Sequence, residues 1–419
     1  MTLIKTSLLN AIAVIVKMLT LLGINKILAI YVGPAGYAAL GQFQNAVQMI
    51  TTFASGAINV GVTKYTAEYF DDEEKQRAVW RTAGTLALVS SILTAFFISI
   101  FSEKLAVYFL KDVQYENVFI WFSLTLIFFV FNTLLLSILN GKKEISLYVL
   151  ANIAGSIFSI LVISLLVMQF GLYGALVGLV VYQSLSFFVT LALCYSKSWF
   201  KVTYFFGKIE KVAALNLAKY AAMALTTAAC VPLSHIFIRN YIGEQIGWVS
   251  AGYWEAMWRL SAAYLMLVTT TLGVYYLPKL AELNSHCEIK LELNKGFKLI
   301  VPVTIILGGC VYLFRDLIIE LLFSSEFKPM EELFAWQMVG DCLKIASWLV
   351  GYLFLSKARF KLIMFIEVYF SIQHYLLVRY FVDSYGLYGT SVAHFVNYSI
   401  CLMFVLYILM FRWEKKSVG

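Results

Sequence analysis

Charge is what this sequence has least of. Only 13% of its 419 residues are charged, while 61% are apolar. A soluble domain carries roughly 25% charged and 45–50% apolar residues. The chain therefore lacks the polar surface needed to cover itself in water, and lipid must supply part of its surroundings. Its apolar runs also lack the polar–apolar alternation of a transmembrane β-barrel. Asn117–Gly141 and Ile145–Tyr195 contain no Asp, Glu, Lys or Arg. Helices are then the way to satisfy every backbone group in hydrocarbon. No A-x-A-like site closes the apolar N-terminus, and Lys17 and Lys26 interrupt it. It reads as a first mature helix rather than a signal peptide.

Further absences narrow the function. The six cysteines form no C-x-x-C pair and mostly fall in apolar runs. They read as small buried hydrophobes, so no disulfide, metal or cofactor is expected. No loop is long enough to hold a catalytic domain. The longest acidic run, Asp71-Asp72-Glu73-Glu74, is not spaced as a D-x-D motif and reads as a solvated loop. An integral-membrane polymerase or glycosyltransferase would need such a metal-binding motif or paired acid and base residues.

What is present is a series of about twelve apolar stretches, at roughly 30–35 residues per span with its loop. They are placed near 7–31, 37–62, 83–102, 117–139, 146–169, 173–195, 213–237, 248–277, 299–322, 333–355, 361–381 and 387–411. Gly33, Pro34 and Gly36 make the turn between the first two. Pro232 and Pro302 fall inside spans and should bend them. Most of the 32 lysines and arginines lie in alternate loops, as at Lys64–Arg81, Lys142–Lys143, Lys197–Lys211, Lys279–Lys298, Lys357–Lys361 and Arg412–Lys416. The opposite loops and span ends hold few, among them Arg239, Arg315 and Arg379. The positive-inside rule then puts both termini in the cytoplasm. The net charge of +8 is a topology signal, and no nucleic-acid partner is needed to explain it.

The chain also repeats itself. Gly171-Leu172-Tyr173-Gly174 leads into Val181-Tyr182-Gln183-Ser184, and 215 positions on Gly386-Leu387-Tyr388-Gly389 leads into Val396-Asn397-Tyr398-Ser399. The same offset joins Lys64 to Lys279, Lys142 to Lys357 and Asn152 to Glu367. The expected fold is an all-α integral membrane protein of two six-helix halves, 1–196 and 213–419. A pseudo-two-fold along the membrane normal relates them, with a cavity at their interface. Residues 197–212 read as a cytoplasmic linker lying on the membrane surface.

Charges inside spans cost roughly 2.5–3.5 kcal/mol each to insert, so they mark function. These are Lys17, Lys26, Lys219, Glu255, Arg259, Asp341, Lys344 and Glu367. Cations outnumber acids among them, which suits an anionic guest such as a phosphate. Lys17 and Lys26 are half a turn out of phase, so one straight helix does not aim both at one cavity. Lys17 is the deeper candidate; Lys26 snorkels outward, and Lys219 either snorkels or binds. Glu255–Arg259 and Asp341–Lys344 are spaced to share a helix face. Such pairs either neutralise each other or place a titrating carboxylate that couples proton entry to transport. His235, His374 and His394 stand isolated in sequence and read as buried neutral side chains. Arg315 and Asp316 read as an interfacial pair. Trp248, Tyr253, Trp254 and Trp258 read as an interfacial belt, or one of them as a sugar-stacking ring.

Three stretches carry a family resemblance: Lys17…Lys26 followed by Gly33-Pro34-Ala35-Gly36, then Val62–Tyr69 (VTKYTAEY), then Leu333–Lys344 (LFAWQMVGDCLK). They resemble the Wzx-type lipid-linked oligosaccharide flippases, such as the O-antigen and enterobacterial common antigen translocases, within the multidrug/oligosaccharidyl-lipid/polysaccharide exporter superfamily. The resemblance implies a V-shaped pair of bundles around a cationic cavity in the bacterial inner membrane. It implies flipping of an undecaprenyl-pyrophosphate-linked glycan, with a polysaccharide polymerase and a chain-length regulator as partners. Lys17, Lys26, Lys64, Asp341, Lys344 and Glu367 match the residue types of that pattern, whereas Arg259 stands where a small polar residue is usual. A cation-coupled drug or metabolite exporter of the same superfamily, which would want an acidic cavity, is the alternative. A passive scaffold of the polysaccharide assembly complex is another.

Overall fold

The computed structural model describes residues 3–410 apart from Asn284 and Ala358, with the side chains of a few further residues, Lys219 among them, outside the description. The described residues form helices and turns, with no strand. The long helices are α1 (Leu3–Ala54), α2 (Glu73–Ile100), α3 (Glu116–Gly141), α4 (Ile145–Tyr195), α5 (Lys211–Ile246), α6 (Trp248–Thr271), α7 (His286–Leu313), α8 (Phe334–Ser356), α9 (Phe360–Tyr385) and α10 (Tyr388–Ile408). Among the described residues, eight helical segments are long and apolar enough to cross a membrane by length and composition.

Two of these are joined pairs. α1 breaks at Gly33 (φ 67°, ψ −179°) and α4 at Gly171 (φ 55°, ψ −131°). Both glycines occupy the positive-φ region that side-chain-bearing residues avoid. Several boundaries differ from the sequence expectation. The stretch near 37–62 ends at Ala54, and a separate helix covers Asn59–Glu68. Lys290, Lys295 and Lys298 sit on the first turns of α7 rather than in a loop. α2 begins early, at Glu73, because the Asp72 side chain accepts from Lys75 N at 3.1 Å and caps the helix. Glu73 and Glu74 add favourable charge at its N-terminus, so the acidic run is a helix start.

Contacts divide the chain into two compact units. One comprises Met1–Val32 and Ala39–Pro232; the other comprises Gly33–Ala38 and Leu233–Gly419. In the first, a core gathers around Trp80 with Val62, Leu134, Ile138, Trp199 and Phe205. Within 197–212, Trp199, Phe200 and Phe205 are buried. Gly84 lets the linker approach, since a Cβ there would meet Phe205 O at 2.1 Å. Lys142 caps this region by donating to Gln76 at 3.1 Å.

In the second unit, the turn Gly33–Ala38 lies on α6. A Cβ on Gly252 would sit 1.8 Å from Pro34 O, so only glycine admits the turn. Tyr37 is fully buried and meets Phe327 edge-on, with ring centroids 5.2 Å apart.

The sequence repeat has a backbone counterpart. Gly386 (φ 59°, ψ −140°) adopts the conformation of Gly171. A Cβ on Gly174 would lie 1.9 Å from Leu166 O, and one on Gly389 would lie 2.1 Å from Phe381 O. Each G-L-Y-G copy is therefore the same device: a glycine that breaks the helix, and a second that lets the next helix start against the last.

Candidate functional site

The buried charges of the second unit form two groups. The first is centred on Glu255 of α6. Its Oε2 accepts from Arg239 Nη2 at 2.6 Å and its Oε1 from Arg259 Nε at 2.9 Å. Arg239 is wholly buried, with its guanidinium 5.5 Å from the Trp254 ring centroid. Arg259 is slightly exposed and lies 5.0 Å over Tyr37. The sequence placed Arg239 at an outer span end; it instead occupies the interior of α5, flanked by the buried Ile236 and Ile238. Those apolar neighbours were the available signal.

The second group is centred on Asp341 of α8. Its Oδ1 lies 3.0 Å from His394 Nε2, and its Oδ2 accepts from Tyr264 Oη at 2.8 Å. Asp341 and His394 are both almost completely buried. Gln337 extends the network by donating to Ser261 at 3.2 Å. Gly340 makes room for the histidine, since a Cβ there would meet His394 Cδ2 at 2.3 Å. Gly340→Ala should push His394 off Asp341 and destabilise the protein by about 1–3 kcal/mol. Thermal unfolding in detergent checks this, and an unchanged melting temperature would contradict it.

The histidines expected to stand alone instead converge. His235, His374 and His394 approach the Trp258 ring with centroids at 4.5, 5.9 and 5.1 Å. His235 and Trp258 lie more than a hundred residues before His374 and His394, and they meet only through the packing of α5, α6, α9 and α10. Trp254 and Trp258 are accordingly packed interior side chains rather than an interfacial belt; Trp254 is 2% exposed.

Lys344 does not pair with Asp341. Among the described residues it has no ion-pair partner. Its Nζ lies 4.8 Å from the Trp258 ring centroid, 5.1 Å from Trp348 and 5.7 Å from Tyr398. The rings stabilise a cation without neutralising it, so an ammonium charge remains for an anion. The sharing of a helix face by Asp341 and Lys344 thus does not amount to mutual neutralisation, whereas for Glu255 and Arg259 it does.

The remaining candidates are placed as follows. Glu367 is half-buried on α9. In the first unit Lys17 is exposed, Lys26 is half-buried, and Lys64 is exposed and 3.5 Å from Glu68. The Lys219 side chain lies outside the described residues. Arg315 and Asp316 do not pair with each other: Arg315 binds Glu331 at 3.2 Å and Asp316 binds Lys328 at 3.1 Å. Cys194 and Cys401 are buried as expected, but Cys287 and Cys310 are exposed.

Residues 3–284 match the family described as polysaccharide biosynthesis protein. The chain belongs to this family. Over its full length, and over all of the relative, it is 28% identical to the lipid III flippase of Escherichia coli strain K12. Two solved structures share its fold. One is the lipid II flippase MurJ in an inward closed conformation (TM-score 0.75, 15% identity, 97% of this chain and 87% of that one). The other is an inward-facing multidrug resistance MATE transporter of the MOP superfamily (TM-score 0.76, 14% identity, 93% and 94%). This polysaccharide biosynthesis protein is therefore an all-α, multi-pass membrane protein.

Proposed function

We propose that the chain is a transporter rather than an enzyme: a flippase that carries an undecaprenyl-pyrophosphate-linked oligosaccharide from the cytoplasmic to the periplasmic leaflet by alternating access. The carrying observation is the uneven pairing of buried charge. Glu255 has two arginines and Asp341 has His394 and Tyr264. Lys344 lies against aromatic rings and has no ion-pair partner among the described residues, which leaves a cation for a pyrophosphate. The full-length likeness to a lipid III flippase supports the same substrate class.

In this reading the protein lies in the bacterial inner membrane with both termini cytoplasmic, as about twelve spans in two six-helix halves. Lys344 and Arg259, with Lys17, Lys26, Lys64 and Lys219 from the first half and the start of the second, attract the pyrophosphate-sugar head. The prenyl tail stays in lipid. Asp341 carries the coupling proton, with Glu367 as the second candidate. Glu255 is less suited, because each of its carboxylate oxygens is already bonded to a guanidinium group. A polymerase and a chain-length regulator receive the product.

The test is leaflet exchange of a fluorescent undecaprenyl-pyrophosphate oligosaccharide in liposomes carrying the purified protein, with and without a pH gradient. Exchange should require the protein and fall about 10–100-fold in Lys344→Ala, the loss of a hydrogen bond between charged groups. The gradient's effect should vanish in Asp341→Asn. A wild-type protein that moves no lipid head but expels cationic dyes would make it a drug exporter instead.

A further inference from the structure

The first unit contains a cavity of about 190 Å³ with no charged side chain in its wall. Gln44, Gln48 and Thr51 line it from the second half of α1, Phe129 from α3, and Tyr182 and Gln183 from the second half of α4. An apolar cavity of ~150 Å³ holds a benzene ring, so this one accommodates a six-membered ring. Val47 and Leu179 complete the wall. Three carboxamides, a hydroxyl and a phenol surround two aromatic faces. Amides within membrane spans are costly unless they face protein or water, and they mark sites of recognition. One of them is visibly unsatisfied: Gln183 Oε1 is buried and has no hydrogen-bond partner. An orphaned buried acceptor costs about 1–3 kcal/mol, which a donor entering the cavity would recover after a turn of the amide.

The repeat gives a second, independent argument. Adding the 215-residue offset takes Phe129 to Lys344, Leu179 to His394, Tyr182 to Asn397 and Gln183 to Tyr398. The same offset is obeyed by backbone geometry, as Gly171 with Gly386 and Leu166 with Phe381 demonstrate. It also takes Gln44 to Arg259. Positions in the cavity wall thus correspond to members of both charged groups, Lys344 and His394 near Asp341 and Arg259 beside Glu255, with lysine, histidine and arginine replaced by phenylalanine, leucine and glutamine. These positions carry charge in one half of the repeat and are neutral in the other.

We infer that this cavity is a subsite for a neutral sugar. Carboxamides exchange hydrogen bonds with ring hydroxyls or an N-acetyl group, and Phe129 and Tyr182 supply flat apolar faces for the ring. A pyrophosphate finds no cation there. The inference deepens the flippase reading and rests on it, by dividing recognition into a charged site for the head group and a neutral one for the glycan.

Gln183→Leu tests it, because the change is nearly isosteric and removes an acceptor oxygen that has no partner. The variant should fold and melt no lower than wild type. Two lipids are compared in proteoliposomes: undecaprenyl pyrophosphate bearing one N-acetylglucosamine, and undecaprenyl pyrophosphate alone. Exchange of the glycosylated lipid should fall about tenfold in Gln183→Leu, while the sugar-free lipid stays within twofold of wild type. Lys344→Ala should slow both. Equal effects on the two lipids, or none on either, would overturn the subsite.

A second measurement separates this from failure of the flippase reading. Saturation-transfer NMR with the methyl glycosides of N-acetylglucosamine, glucose, galactose and mannose should detect binding of at least one to the full chain in nanodiscs. That signal should be lost in Gln183→Leu. If wild type exchanges neither lipid yet shows a sugar signal that Gln183→Leu abolishes, the flippase reading fails and the subsite stands. If no glycoside gives a signal sensitive to Gln183→Leu, the subsite is wrong whatever the exchange result.

Discussion

Glu255→Ala is expected to destabilise the protein by about 3–5 kcal/mol, the cost of leaving a buried charge without its partner. Arg239 is wholly buried and its bond to Glu255 is 2.6 Å. Removing the carboxylate strands that guanidinium and loosens Arg259 as well. The loss should appear as a fall in melting temperature in detergent, measured by tryptophan fluorescence. Trp254, which packs against Arg239, should report it directly. The paired change Arg239→Leu with Glu255→Leu should recover most of the loss, because a buried ion pair replaced by apolar side chains of similar bulk is often neutral. A single Glu255→Ala variant within about 1 kcal/mol of wild type would show that the pair does not support the fold.

The two G-L-Y-G copies should fail alike. Gly174→Ala and Gly389→Ala would each place a methyl within 1.9 and 2.1 Å of a backbone carbonyl oxygen. Neither oxygen can rotate away, so the neighbouring helices must part. A loss of about 3 kcal/mol is expected at each, near the upper end of the usual range for overpacking. Gly309→Ala is the control: its Cβ would meet nothing within 4 Å. It should be stabilising by about 0.5–1 kcal/mol, because alanine loses less freedom in a helix. Equilibrium unfolding of the three variants checks this. A loss at one repeat copy without the other would mean that the shared conformation does not carry shared strain.

The membrane fold was legible because hydropathy is additive along the chain. Uncharged runs such as Asn117–Gly141 and Ile145–Tyr195 need no partner to declare what they are; the first became one helix and the second two, broken at Gly171. The G-L-Y-G repeat was legible for a related reason: positive φ and close helix approach both demand glycine locally, so the same conformation leaves the same residues 215 positions apart.

Pairing was not legible. Spacing placed Glu255 with Arg259 and Asp341 with Lys344, but shared faces only permit contact. The structure kept the first pair and added Arg239. It replaced the second with His394 and Tyr264 and gave Lys344 to Trp258, Trp348 and Tyr398. Hydropathy also misplaced Trp254, since an aromatic side chain suits a membrane interface and a protein core equally well.

The sequence by itself determined a helical membrane chain, its duplication and the buried carboxylates Glu255 and Asp341, because each follows from local composition or local backbone demand. Only the tertiary structure decided which charge meets which, that three histidines gather on one tryptophan, and that three glutamines share a cavity. Those contacts join residues on different helices, and no periodicity within a single helix encodes its neighbour across the bundle.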